Sequence, residues 1–171
     1  MSKWLNNIVL NGGNVRLEPL TLTHIDGLID AVKDGELWKL WYTSAPEPKN
    51  VHSYIEQAIS EFENDKSLPF AIIKVDNNKV VGTTRFMNAD SLNRRLEIGT
   101  TWYSKSSQRT GINTQCKYLL LEYAFETLKC IAVEFRTHWH NLQSREAIAR
   151  LGAKQDGILR NHQFDKAGNL R

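Results

Sequence analysis

Residues 107–115 read SQRTGINTQ, and the fold turns on how this stretch is taken. Before it, RRLEIGTTWYS (residues 94–104) alternates in the manner of a strand. Leu96, Ile98, Thr100 and Trp102 fall on one face, and Arg95, Glu97, Gly99, Thr101 and Tyr103 on the other. After it, Ile112, Cys116, Leu119, Leu120, Tyr123, Ala124 and Leu128 recur at helical spacing, predicting a helix to about Leu128. The stretch is therefore a strand-to-helix loop. A helix start exposes unpaired N–H groups and the positive end of the macrodipole, which suits an anion such as a pyrophosphate. Gly111 allows a sharp turn and close approach, and Arg109 adds positive charge. The loop reads equally as a polar turn with Thr110 or Asn113 capping the helix. It is neither a Walker loop nor a dinucleotide fingerprint, since G-K-[ST] and G-x-G-x-x-G are both absent.

Outward from the loop, the chain alternates strand and helix patterns. VRLEPL (residues 15–20) reads as a strand and TLTHIDGLIDAVKD as a helix. GELWKLWYTSAPEPKN reads as a short helix giving way to a turn, and VHSYIEQAISEFEND as a second long helix. LPFAIIKVDNNKVVGTTRFMN predicts two strands around Asn77 and Asn78. Beyond the loop helix come a strand (CIAVEFRTHWH), a helix (LQSREAIARLG) and a last strand (AKQDGILRNHQF). The expected fold is α/β, with a mixed, mostly antiparallel central sheet and helices on both faces.

The bulk numbers fit one domain over residues 1–171. Apolar residues make up 41% and charged residues 24%, and the formal charge is +3. That charge is scattered and too weak to argue for nucleic acid. No apolar run approaches a membrane span, and MSKWLNNIVL lacks the apolar stretch of a signal peptide, so the expectation is cytoplasmic with no membrane. Cys116 and Cys130 read as buried thiols. His138 and His140 point the same way from one strand, and with only His162 as a third candidate they make a weak metal site, so no metal is expected.

Three pieces in order carry a resemblance over about residues 15–170. They are QRTGIN, the helix TQCKYLLLEYAFETL, and NLQSREAIARLGAKQDGILRNH. Together they resemble the GNAT superfamily of N-acetyltransferases, in the branch that includes the ribosomal-protein alanine N-acetyltransferases. The resemblance implies acetyl-coenzyme A as co-substrate and an amine acceptor, on a small molecule or a protein N-terminus. It implies that Gln108, Arg109, Thr110, Gly111, Ile112, Asn113 and Thr114 hold the pyrophosphate. It implies that Thr101 and Tyr103 offer backbone to the pantetheine and thioester, their alternative being plain strand pairing, and that Asn141 bonds the pantetheine arm, its alternative or second task being an N-cap. Glu97 is implied as the base, working through water, its alternative being an ordinary ion pair with Arg95 or Arg85. Ser144 is implied as donor to the departing thiolate, its alternative being service to the helix start. Trp38, Trp41 and Tyr42 are candidate walls of the acceptor pocket or simply core.

Two departures stand out. Asn113 replaces the small residue usual at that position, and Ile148 stands where a tyrosine acid often sits. Relatives also carry one more strand, so the C-terminus is expected to be truncated relative to them, or the gap filled by another chain. A homodimer is one expected form. The competing functional class is a non-catalytic acyl-CoA sensor or scaffold.

Overall fold

The computed structural model describes residues 3–165 and 167–170. Alternating burial makes β2 (Val15–Pro19), with Val15 and Leu17 fully buried. It pairs with a short strand that the pattern did not announce, β1 (Leu10–Asn11). The helix α1 (Ile25–Lys33) buries Leu28, Ala31 and Val32, and α2 (Val51–Glu63) buries Val51, Ile55 and Ala58. Between them the expected short helix is only two 3-10 turns, Leu37–Lys39 and Pro48–Asn50. Prolines 46 and 48 limit regular helix there.

The hairpin prediction holds. β3 (Ser67–Lys74) and β4 (Lys79–Asp90) pair antiparallel, with Asn78 at φ 54° in the turn. β5 (Arg95–Tyr103) pairs antiparallel with β4. α3 (Ile112–Glu122) follows, then a π-helical turn at Tyr123–Thr127. β6 (Ala132–Glu134) and α4 (Leu142–Ala149) complete the elements.

The sheet has six strands in chain order, antiparallel through β5, with β6 parallel to β5. Each face carries its own core. On one, Leu17, Leu68, Phe70, Phe86, Leu96 and Ile98 pack against Ile112, Cys116 and Leu120 of α3. On the other, Ala71 and Trp102 pack against α1 and α2.

Two expectations at the C-terminal end are corrected. The strand expected over CIAVEFRTHWH is only the three residues of β6, and AKQDGILRNHQF forms no strand. A strand requires a hydrogen-bonding neighbour. Among the described residues nothing pairs with 153–160, and Ile158 and Leu159 lie exposed. No helix of the described residues is long and apolar enough to cross a membrane.

Candidate active site

β5 and β6 separate soon after they meet. They pair only from Arg95, Leu96 and Glu97 to Ala132, Val133 and Glu134. β5 then runs on through residues 98–103 with that edge unpaired, while the chain beyond β6 is irregular and joins the ladder no further. Backbone N–H and C=O groups are left facing a wedge between two parallel strands.

A bulge shapes the open edge. Opposite β4, the register passes from Thr83↔Trp102 to Arg85↔Gly99, so β5 carries one extra residue there. Thr100 takes it up at φ 49°, an unusual conformation for a β-branched residue. The bulge also corrects the strand-face reading. Tyr103 lies in the same core as Leu96 and Ile98, and Trp102 in the opposite one. Strict alternation put Tyr103 on the face of Glu97, and one inserted residue reverses that.

At the mouth of the wedge sits the loop. The Gln108 amide donates to the Tyr103 carbonyl at 3.2 Å, and Thr110 Oγ1 donates to the Ser107 carbonyl at 2.7 Å. The first bond ties the loop to the end of β5, and the second braces the loop on itself. Arg109 and Gly111 both have positive φ, 60° and 85°. Gly111 is the N-cap of α3, and no side chain caps the helix. The capping alternative for Thr110 or Asn113 thus fails. Thr110 is spent on Ser107, and Asn113 Oδ1 accepts from the Tyr103 hydroxyl at 3.1 Å. No acidic residue lies in the first turn of α3, and a Cβ on Gly111 would meet no protein atom within 4 Å. Free amides, an open approach and no repelling carboxylate make a cradle that fits a pyrophosphate. The Ile112 side chain is buried, so this position offers only its backbone.

α4 faces the same mouth. Gln143 Nε2 donates to Gln108 Oε1 at 3.4 Å. Asn141 is the N-cap of α4, its Oδ1 accepting from the Ser144 N–H at 3.1 Å. The Asn141 side-chain amide and the Ser144 hydroxyl have no hydrogen-bond partner among the described residues, which leaves both open to a ligand.

Glu97 is buried. Neither partner expected from the sequence holds it, because Arg85 pairs with Glu61 at 2.7 Å and Arg95 with Asp90 and Glu134. Instead Asn88 Nδ2 donates to Glu97 at 2.8 Å, and Arg136 approaches at 3.5 Å. Sequence reading missed both partners. They lie on β4 and just beyond β6, and only the strand pairing brings them to Glu97.

Of the aromatic candidates, Trp38 packs against the α1–α2 core. Trp41 stands exposed, edge-on to His138 at 4.6 Å and near Tyr42 at 5.7 Å. His138 and His140 stack at 5.5 Å, but they do so in a turn beyond β6 and not along one strand as expected. Among the described residues no group of three His, Cys, Asp or Glu side chains could hold a metal ion.

The Acetyltransferase (GNAT) domain family matches residues 14–154, most of the chain and both strands of the wedge. The chain belongs to the GNAT acetyltransferase family. Among curated relatives, it is 28% identical over 108 residues to the uncharacterized N-acetyltransferase p20 of Bacillus licheniformis, covering 60% of each chain. It is 25% identical over 124 residues to the probable N-acetyltransferase YjcK of Bacillus subtilis, covering 71% of this chain and 65% of that one. The chain thus spans under two thirds of the length of these curated relatives. A crystal structure of a GCN5-related N-acetyltransferase from Brucella melitensis superposes with a TM-score of 0.84 at 28% identity, covering 97% of this chain and 76% of that one. The α/β architecture is therefore that of solved GNAT structures, with six mostly antiparallel strands.

Proposed function

We propose that this protein transfers an acetyl group from acetyl-coenzyme A to a primary amine, on a small molecule or a protein N-terminus. The observation that carries this reading is the wedge between β5 and β6, opening directly beside an uncapped helix start. An anion held by the amides of residues 109–114 would place the coenzyme arm along the free β5 edge. There the backbone of Thr101 and Tyr103 can pair with its amides and polarise the thioester carbonyl. The free amide of Asn141 serves the same arm.

The amine attacks directly within a ternary complex. Its nitrogen bonds to the carbonyl carbon as the carbon–sulfur bond breaks. Glu97 draws off the amine proton through water, and the Ser144 hydroxyl donates to the sulfur that departs. Cysteine chemistry is disfavoured, because burial pushes the Cys116 thiol up to about 12 and keeps it protonated. Trp41 and Tyr42, with His138 and His140, wall the acceptor side, while Trp38 backs them from the core.

Calorimetric titration with acetyl-CoA, paired with a thiol-release assay, tests the reading. Micromolar to submillimolar binding is expected, and absence of binding at millimolar concentration would remove it. Binding without turnover of any amine would favour the sensor class. Glu97→Gln should lower turnover about a hundredfold and Ser144→Ala about tenfold, both with coenzyme affinity kept. If neither changes turnover, the two catalytic assignments are wrong.

A further inference from the structure

Lys117 is a buried cation that the chemistry above does not use. It lies on α3 with 6% of its surface exposed. Its Nζ donates to Thr101 Oγ1 at 2.8 Å and stands 5.7 Å from the centre of the Phe135 ring. Among the described residues no carboxylate lies within ion-pair distance of it. The titratable group that acts on it is Cys116, on its own helix, which in turn hydrogen-bonds Tyr103 of β5. Burial raises both, so neither supplies a counter-anion near neutral pH. A buried ammonium without an anion works against folding, and an apolar side chain of similar length would serve packing better. Stability does not explain this residue.

Its contacts point elsewhere. Thr101 Oγ1 also shares a 2.8 Å hydrogen bond with Thr84 Oγ1 of β4. The chain Lys117–Thr101–Thr84 therefore runs from α3 across the bulge, next to the strained Thr100. Strain of this kind persists only where surrounding groups fix it. Phe135 lies just past β6, on the opposite wall of the wedge, so one side chain touches both walls.

We propose that Lys117 is a positioning residue, holding the Thr100–Thr101 bulge and the two walls of the wedge in the geometry that presents the β5 edge to the thioester. This rests on the acetyl-transfer reading. It acts through Thr101, by a hydrogen bond from a charged donor. Removing either end of that bond loosens the same segment.

Steady-state kinetics on Lys117→Met, Thr101→Val and the double variant test this, after wild-type binding and turnover are measured. A wild type without turnover ends the acetyl-transfer reading and this proposal with it. With an active wild type, each single variant should lose about tenfold in kcat, with KM for acetyl-CoA within about threefold. The double variant should be no worse than the weaker single one, because both changes break one linkage. Lys117→Met should melt no lower than wild type at pH 7, which separates positioning from simple packing. Multiplying losses overturn the proposal, as does wild-type kcat in Thr101→Val. The second outcome is decisive even if Lys117→Met does not fold.

Discussion

Lys117 shows what one residue can hide from a sequence. It sits beside Cys116 on the helix stripe, and a lysine next to an apolar stripe ordinarily reads as solvated. Only the approach of β5 and Phe135 encloses it. Burial lowers its pKa to about 8 from the usual 10.5. The folded state therefore holds fewer protons than the unfolded chain between about pH 8 and 10.5, and stability rises with pH across that window. Cys116 and Tyr103 shift the opposite way and oppose this in the whole protein. The clean measurement is the difference between wild type and Lys117→Met in denaturant unfolding. Wild type should gain about 3 kcal/mol relative to the variant between pH 7 and pH 10.5. A pH-independent difference would mean the amine keeps its ordinary pKa. Glu97 tells the same story in reverse. Its place in the strand was legible, but its partners, Asn88 and Arg136, were not, because they come from other elements.

At the scale of elements, the loop and α3 were the most legible part. The stripe of Ile112, Cys116, Leu119, Leu120 and Ala124 is buried as the spacing required. The cap was not legible, since Thr110 and Asn113 are both acceptable capping types and nothing local says that Ser107 and Tyr103 occupy them. Gly111 is where element and site meet. At φ 85° an L-residue is strained even though its Cβ meets no protein atom. Gly111→Ala should cost about 1 kcal/mol in stability. It should also weaken acetyl-CoA binding by more than tenfold, because the methyl group projects on the open side of the cradle. Chemical denaturation and calorimetry read the two effects separately, and unchanged affinity would move the pyrophosphate away from this turn. β5 gives the opposite lesson. Its alternation was legible up to Gly99, and the extra residue at Thr100 then reversed every later face. A bulge leaves no mark in a run of threonines, since two successive threonines fit either register.

At the scale of the whole molecule, the sheet is antiparallel and paired strand to strand from β1 to β5, bulges included, and pairs over only three residues beyond. β6 has three residues, and Leu142, Ile158, Leu159 and Phe164 are each about three-fifths or more exposed. The resemblance implies one further strand near the fifth; we propose that a strand, from this protein or a second copy, also pairs with residues 153–160 on this flank. Hydrogen exchange at these amides should then be slowed at least a hundredfold relative to an unpaired chain. Exchange at the unpaired rate would sink the idea, and light scattering would show whether a second copy supplies the strand. By itself the sequence determined β2 to β5 and α1 to α4 as elements, the apolar faces of α1 to α3 and the strand–loop–helix order around Gly111. Those follow from periodicity and local backbone chemistry, which act within a few residues. Only the tertiary structure decided the wedge between β5 and β6, the bulge at Thr100, the partners of Glu97 and the burial of Lys117. Each depends on which distant strand lies alongside, and pairing between segments tens of residues apart is set by the packing of the whole sheet.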